Sequence, residues 1–215
     1  MRLRSYGLPV VISHFYHAYA TKSAYGMVAE HVTAIIESRL ADHIDHLSLG
    51  VVGTPESRKK IIDLCYGLIP TEVVAEADEG WEQTTLNVLW ERRASFSGPV
   101  LYAHTKGASQ ACPWNTKWRR TLTDRLVRGW QGAAQCLAAA DVVGCNWISE
   151  SFLPRTGNPT NVHFFAGNFW WASPDYLRKL AAPSMDNRWE AEKWIGKGRP
   201  RVCDLIPGFP SDVIR

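Results

Sequence analysis

The sequence predicts an α/β domain with a mostly parallel central sheet flanked by helices. Three observations predict it. Short β-branched runs alternate with segments of helical period through the first half of the chain. Four such runs separated by three helical segments call for parallel pairing, because right-handed crossovers cover both faces of a sheet. The 215 residues, 46% apolar and 21% charged, suffice for one well-buried core and for a single domain.

Val10-Val11-Ile12-Ser13, following Pro9, reads as the first strand. From Ala24 to Leu40, the residues Val28, Val32, Ile35, Ile36 and Leu40 recur on one helical face. His46 to Val52 is a second apolar run closed by Gly53, and Thr54-Pro55 then supplies a cap and a proline at the first helical position. Val73-Val74-Ala75 is the third strand. Leu86, Leu89, Trp90 and Ala94 pattern a helix from about Trp81 to Ala94, and Val100 to Ala103 follows Gly98-Pro99 as the fourth strand. This first half is Rossmann-like in plan. It lacks the GxGxxG turn after strand one, where His14-Phe15-Tyr16-His17 stands instead, so dinucleotide binding loses its main support.

In the second half, a long helix is expected from Asn115 to Ala140, bent at Gly129. A fifth strand at Asp141 to Cys145 precedes a loop rich in Pro, Gly and Asn from Pro154 to Asn161. Val162 to Ala172 reads as one long aromatic strand, and Ser173-Pro174-Asp175 caps a short helix to Leu180. The division expected is one domain over 1–215, with a nucleotide-binding half at 1–110 and an acceptor-side half at 111–215.

Charge and cysteines exclude some functions. The net charge of +3 comes from scattered Lys and Arg, too mild for nucleic-acid binding yet suited to an anionic small ligand. The five cysteines are odd in number and form no CxxC pair, which argues against a disulfide framework or a zinc site. No apolar run reaches the roughly 18 residues of a membrane span, and the amino terminus has no long apolar leader region. The expected location is cytoplasmic, or at a membrane only by association.

Ligands of open α/β sheets bind outside the carboxyl ends of the parallel strands. Ser13, His14, Tyr16 and His17 follow the first predicted strand, and His104, Thr105, Lys106 and Gly107 follow the fourth. A strand-end lysine beside glycine, with loop amides around it, suits a diphosphate; a solvated turn lysine is the alternative. His14, His17 and His104 alone make a weak case for zinc. Ala166-Gly167-Asn168 interrupts the aromatic strand, where a ligand could approach the backbone and meet an amide side chain. Glu190 and Glu192 lie two apart on a short helix and do not share its face, so one of them is expected in the pocket as a general base. Pairing of both with Arg188 and Lys193 on the surface is the other reading. Eight of the ten tryptophans fall between Trp114 and Trp194, as core or as aromatic platforms for a sugar.

Taken in order, Leu-Tyr-Ala-His-Thr-Lys-Gly-Ala-Ser (101–109), Trp118-Arg119, Phe-Phe-Ala-Gly-Asn-Phe-Trp-Trp-Ala (164–172) and Arg-Trp-Glu-Ala-Glu-Lys-Trp-Ile-Gly (188–196) resemble a group of glycosyltransferases of phage and bacterial polysaccharide loci. These are distantly similar to the rhamnan synthesis protein F family. The resemblance implies a GT-A-like fold and a hexosyltransferase-like activity, moving a sugar from a nucleotide-sugar donor to a hydroxyl of a glycan, polysaccharide or protein. The resemblance likens Phe165 to Trp171 to the strand that contacts the donor sugar; read together with the strand-end residues, His14, Tyr16, His104, Thr105, Lys106, Gly167, Asn168 and Arg188 are expected at the donor, with Tyr16 stacked on the base and Asn168 on sugar hydroxyls. Trp114, Trp118, Trp170 and Trp171 would receive the acceptor. Glu190 or Glu192 would take the acceptor proton while Lys106, helped by His104, steadies the departing diphosphate. The family's metal-holding Asp-x-Asp is replaced here by His104-Thr105-Lys106, so transfer without a metal is expected and a role for Mn²⁺ or Mg²⁺ stays open. Two rivals belong to other classes: a non-catalytic carbohydrate-binding protein and a metal-dependent phosphoester hydrolase.

Overall fold

A computed structural model describes residues 11–110, 112–149 and 163–208. The first half runs β1 (Ile12–Tyr19), α1 (Ala24–Glu37), β2 (Ile44–Val52), α2 (Pro55–Leu68), β3 (Thr71–Ala77), α3 (Gln83–Arg92) and β4 (Val100–His104). The second half holds α4 (Pro113–Thr123), a π-helical turn over 124–128, α5 (Trp130–Cys136), β5 (Val142–Gly144), β6 (Trp147–Ile148), β7 (Phe164–Phe165), β8 (Trp170–Ala172), α6 (Pro174–Leu177), α7 (Trp189–Trp194) and β9 (Val202–Asp204).

Among the described residues, seven strands form one sheet in the order β3-β2-β1-β4-β8-β5-β9, and β6 pairs with β7 in a second. Among the described strands of the seven-stranded sheet, only β8 runs against its neighbours, pairing antiparallel with both β4 and β5. The other pairings of the main sheet are parallel, which makes this a mostly parallel, Rossmann-like α/β domain flanked by helices. Thr54 caps α2 by accepting from the amide of Ser57, and Ser173 caps α6 by accepting from that of Tyr176.

Three boundaries differ from the sequence-based expectation. The first strand extends through His14, Tyr16 and His17 to Tyr19, because a strand covered on both faces accepts buried aromatic and imidazole side chains as readily as aliphatic ones. The expected helix from 115 to 140 is broken by the π turn, where the amide of Gly129 bonds to the carbonyl of Asp124. The long aromatic strand is split into β7 and β8 by a turn with Gly167 at φ 93° and Asn168 at φ 51°. The predicted loop at Pro154–Asn161 lies outside the described residues.

Two apolar layers cover the sheet. One, beneath α1, α2 and α4, contains Tyr16, Ala18, Val28, Ile35, Leu101 and Leu122. The other, beneath α3, α6 and α7, contains Phe15, Leu86, Tyr102, Trp170 and Trp194. Strand alternation therefore sends His14 and Tyr16 to one face and Phe15 and His17 to the other. His17 is the register partner of His104, and these two point to the α3 side together.

Candidate active site

A cleft of about 240 Å³ opens at the carboxyl ends of the central strands. β1 contributes His17 and Tyr19, and the β3–α3 turn contributes Gly80, Trp81 and Glu82. The end of β4 and its loop contribute His104 to Ser109, and the start of α7 contributes Arg188 and Glu192. This is the position that parallel strand topology makes available, since successive connections diverge there and leave backbone ends uncovered.

The β4 loop is fixed from below. The Thr105 amide donates to the His17 carbonyl at 3.0 Å, and the Thr105 hydroxyl accepts from the Tyr19 amide at 2.8 Å. Thr21 and Ser23 hydroxyls donate to the Ala108 carbonyl. Gly107 sits at φ 89°, and a Cβ there would stand 3.0 Å from that of Asn115, so the loop lies close against the first turn of α4. Lys106 extends over the ring of Trp118, its Nζ 4.5 Å from the centroid. On the far side, the Gln83 amide donates to the Ser184 and Asn187 carbonyls and so holds the segment that leads into Arg188. Arg188 itself stacks on Trp189 at 4.3 Å.

Glu82 stands at the floor. Its Oε2 accepts from Asn168 Nδ2 at 2.6 Å and from the Tyr102 hydroxyl at 3.1 Å, and its Oε1 lies 3.4 Å from Nδ1 of His104. His104 Nε2 is 2.9 Å from the Gly167 carbonyl. Burial pushes the His104 imidazole down to about 4, with the charge of Lys106 adding to the effect. Burial likewise pushes His17 down to about 4, against the attraction of Glu82, and its Nδ1 meets the Thr85 hydroxyl at 2.8 Å.

The two late glutamates have different surroundings. Glu192 lines the cleft, and burial holds its carboxyl above the usual carboxylate range, partly opposed by the nearby charge of Lys106. Glu190 is outside the cleft, bonded to Lys197 at 2.7 Å and to Lys193 at 3.3 Å; the Lys197 bond most of all holds its carboxyl below the usual range. Helical spacing of two residues thus separates a cleft carboxylate from one that pairs with lysines outside the cleft.

Of the expected donor residues, His104, Thr105, Lys106 and Arg188 line the cleft, and His14, Tyr16, Gly167 and Asn168 do not. His14 and Tyr16 are fully buried on the opposite face of β1, packed with His31 of α1. Gly167 is packed against Leu122 and Trp118 and offers the cleft no open backbone. Asn168 is fully buried and serves Glu82, the Ala191 carbonyl and the indole of Trp170.

Among the expected acceptor residues, Trp170 and Trp171 are core, with no exposed surface. The Trp171 indole donates to the Leu126 carbonyl, and Trp170 stacks on Tyr102 with centroids 5.1 Å apart. Trp118 is nearly buried beneath Lys106, and Trp114, 39% exposed, packs against its edge. Cleft residues that sequence reasoning missed are Tyr19, Gly80, Trp81, Glu82, Ala108 and Ser109. A signal existed for three of them: Asp78-Glu79-Gly80-Trp81-Glu82 follows the third strand, and the strand-end rule used for strands one and four applies there as well.

Among the described residues, no group of three or more His, Cys, Asp or Glu side chains is arranged to hold a metal ion. Nor is any described helix long and apolar enough to cross a membrane.

A protein-family profile described as a domain of unknown function, DUF8361, matches residues 15–204. No curated protein matches the chain. Three solved structures are similar in outline. One is 4-diphosphocytidyl-2C-methyl-D-erythritol synthase from Anaerococcus prevotii DSM 20548, at 10% identity and TM-score 0.48, covering 93% of this chain and 90% of that one. The second is Rv0371c from Mycobacterium tuberculosis H37Rv, at 15% identity and TM-score 0.44, covering 94% and 91%. The third is another 4-diphosphocytidyl-2C-methyl-D-erythritol synthase, at 12% identity and TM-score 0.40, covering 94% and 95%.

Proposed function

We propose that this chain, which belongs to the DUF8361 family, is a glycosyltransferase that moves a sugar from a nucleotide-sugar donor to a hydroxyl acceptor. The observation that carries the reading is the meeting of Lys106, Arg188 and Glu192 in one strand-end cleft. Two cations in one cleft with the partly buried carboxylate of Glu192 suit a ligand that is anionic at one end and gives up a proton at the other.

In the proposed reaction the acceptor oxygen attacks the anomeric carbon as the bond from that carbon to the diphosphate oxygen breaks. The electron pair leaves on the diphosphate, where Lys106 and Arg188 offset the new charge. The acceptor proton passes to Glu192, whose raised pKa brings it nearer to the strength a general base needs at neutral pH. Trp81 and Tyr19, both exposed at the rim, offer flat surfaces for a base or a sugar ring. Thr105 and the loop amides after β4 shape the diphosphate end.

The test is a screen of nucleotide sugars for donor hydrolysis and transfer, with the intact chain, Lys106→Ala, Glu192→Gln and Glu190→Gln. Losses of about 100-fold or more are expected for the first two variants, in the range of a removed charge-stabilising group or general base, and a change of less than about threefold for the third. Equal turnover in all four proteins would end the assignment. A carbohydrate-binding protein, by contrast, would bind free sugars as well as nucleotide sugars and turn over neither.

A further inference from the structure

Glu82 precedes α3 with helical dihedrals, yet its side chain makes no cap bond to the helix amides beside it. It turns instead into the cleft floor, where the side chains of Glu82 and His104 are 17% and 10% exposed. The hydrogen bonds of its neighbours decide which of its oxygens is occupied. The Trp170 indole can only donate, and it lies 2.9 Å from Asn168 Oδ1, which leaves the Asn168 amide nitrogen to donate to Glu82 Oε2 at 2.6 Å. Burial holds the Tyr102 hydroxyl well above its ordinary value, so it stays protonated and donates to the same oxygen at 3.1 Å. Oε2 is thereby filled by groups that are themselves fully buried.

Oε1 has no such donor. Its close polar neighbour among the described residues is Nδ1 of His104 at 3.4 Å, and no hydrogen bond joins the two. The Gly167 carbonyl can only accept, so the hydrogen of its 2.9 Å contact sits on His104 Nε2. Burial keeps the ring neutral at neutral pH, and Nδ1 is then a bare lone pair. A carboxylate oxygen and a ring nitrogen thus stand side by side in residues that line the cleft, both acceptors and both without a donor among the described residues. Such half-dry acceptors gain from hydrogens that a ligand brings, and a ligand that brings none leaves them unpaired. Neighbouring hydroxyls of a sugar ring offer two hydrogens side by side.

We propose that Glu82 Oε1 and His104 Nδ1 together receive two neighbouring hydroxyls of the ligand, and so select a vicinal diol in the donor. The inference rests on the donor-site reading above and deepens it: Lys106 and Arg188 take the anionic part, and the acceptor pair reads the hydroxyls beside it. A nucleotide sugar carries such a diol in two places, the ribose and the transferred sugar, with the same hydrogen-bonding chemistry. Asn168 and Tyr102 act through Glu82 and are positioning residues, since they hold Oε2 and leave Oε1 for the cleft. Glu192 lines the same cleft within reach of the charges of Lys106 and Glu82, so the diol, the diphosphate and the proposed base share one site. Selection follows from polarity as well as shape. A site of donors would tolerate fluorine in place of a hydroxyl, whereas a pair of acceptors opposes it.

Calorimetric titration of the full chain decides it. Pyrophosphate reads the cationic part alone and should bind. Uridine, cytidine, adenosine and guanosine diphosphates, each against its 2′-deoxy and 3′-deoxy forms, read the ribose. Glucose, galactose and mannose 1-phosphates, each against its deoxyfluoro analogues, read the transferred sugar. In one of these two sets, loss of either of two neighbouring hydroxyls should weaken binding by about tenfold or more, and the set that responds tells which diol is held. Glu82→Gln puts an amide nitrogen, a donor, where Oε1 stood, and the penalty should shrink there to less than about threefold. A wild type that binds every deoxy and deoxyfluoro form as tightly as its parent would overturn the assignment whether or not the variant folds, and so would a penalty that Glu82→Gln leaves intact. Such a flat response with pyrophosphate bound removes the diol and leaves the cation site standing. Absence of all binding, pyrophosphate included, removes the donor site and the diol with it. Nitrogen NMR of the free protein at neutral pH, with His104 assigned by the loss of its signals in His104→Gln, should show Nε2 protonated and Nδ1 bare; a protonated Nδ1 would also overturn the acceptor pair.

Discussion

Acidification should destabilise this fold through His14, by an amount that follows from where the ring sits. Its Nδ1 lies 3.2 Å from the Leu101 carbonyl, an obligate acceptor, and its Nε2 lies 2.9 Å from Nε2 of His31. Nδ1 therefore carries the hydrogen of a neutral ring, and Nε2 accepts from His31. A second proton has no partner, and burial pushes His14 from its ordinary 6.5 down to about 4. Because the folded value lies below the unfolded one, the unfolded chain binds more protons between those values. Stability is thus full above about 6.5 and falls as pH drops toward 4. Between pH 7 and pH 5 the loss from this residue is about 2 kcal/mol. His17, pushed to about 4 in the same way, adds a similar amount. Urea unfolding of wild type and His14→Asn at the two pH values measures it. The variant should be less stable at both, and its loss between them smaller than that of wild type by about 2 kcal/mol. Wild-type stability unchanged at pH 5, or a variant that keeps the full loss, would refute the assignment of a neutral buried pair.

Two further outcomes follow from the packing around the cleft. Gly50 of β2 lies beneath α3, and a Cβ there would come within 1.9 Å of the Thr85 hydroxyl oxygen. Gly50→Ala should cost about 1–3 kcal/mol in urea unfolding and shift the α3 amino terminus, weakening the Thr85–His17 bond; a crystal structure with α3 unmoved would contradict this. The raised pKa of Glu192 places the acid limb of any transfer rate above the usual carboxylate range. Glu192→Gln should abolish that limb along with most of the rate, as a pH–rate profile would show.

Much of the site was legible in the sequence, and the part that was not has one physical source. Lys106 could be picked out because strand-end position is a local property of the chain, and helical spacing indicated that one of Glu190 and Glu192 enters the pocket without indicating which. His14 and Tyr16 could not be excluded in the same way. His14 and His17 differ only in the face of β1 they occupy, and that becomes known once the strand is seen to run to Tyr19. Trp170 and Trp171 present the same problem, since an aromatic pair suits a sugar platform or a core equally well until its neighbours are known. Glu82 follows the third strand, where the strand-end rule points, but its partners Tyr102, His104 and Asn168 lie 20 residues or more further along the chain and only the fold brings them to it.

Alternation of apolar runs fixed the α/β plan, and the Thr54-Pro55 and Ser173-Pro174 starts marked two helices, because capping and periodicity are set by residues a few positions apart. The tertiary structure alone decided that β8 runs antiparallel between β4 and β5, which of two histidines and which of two glutamates reach the cleft, and that Trp114, Trp118, Trp170 and Trp171 do not line it. Those choices depend on burial and hydrogen bonding between segments distant in sequence, and no local pattern encodes them.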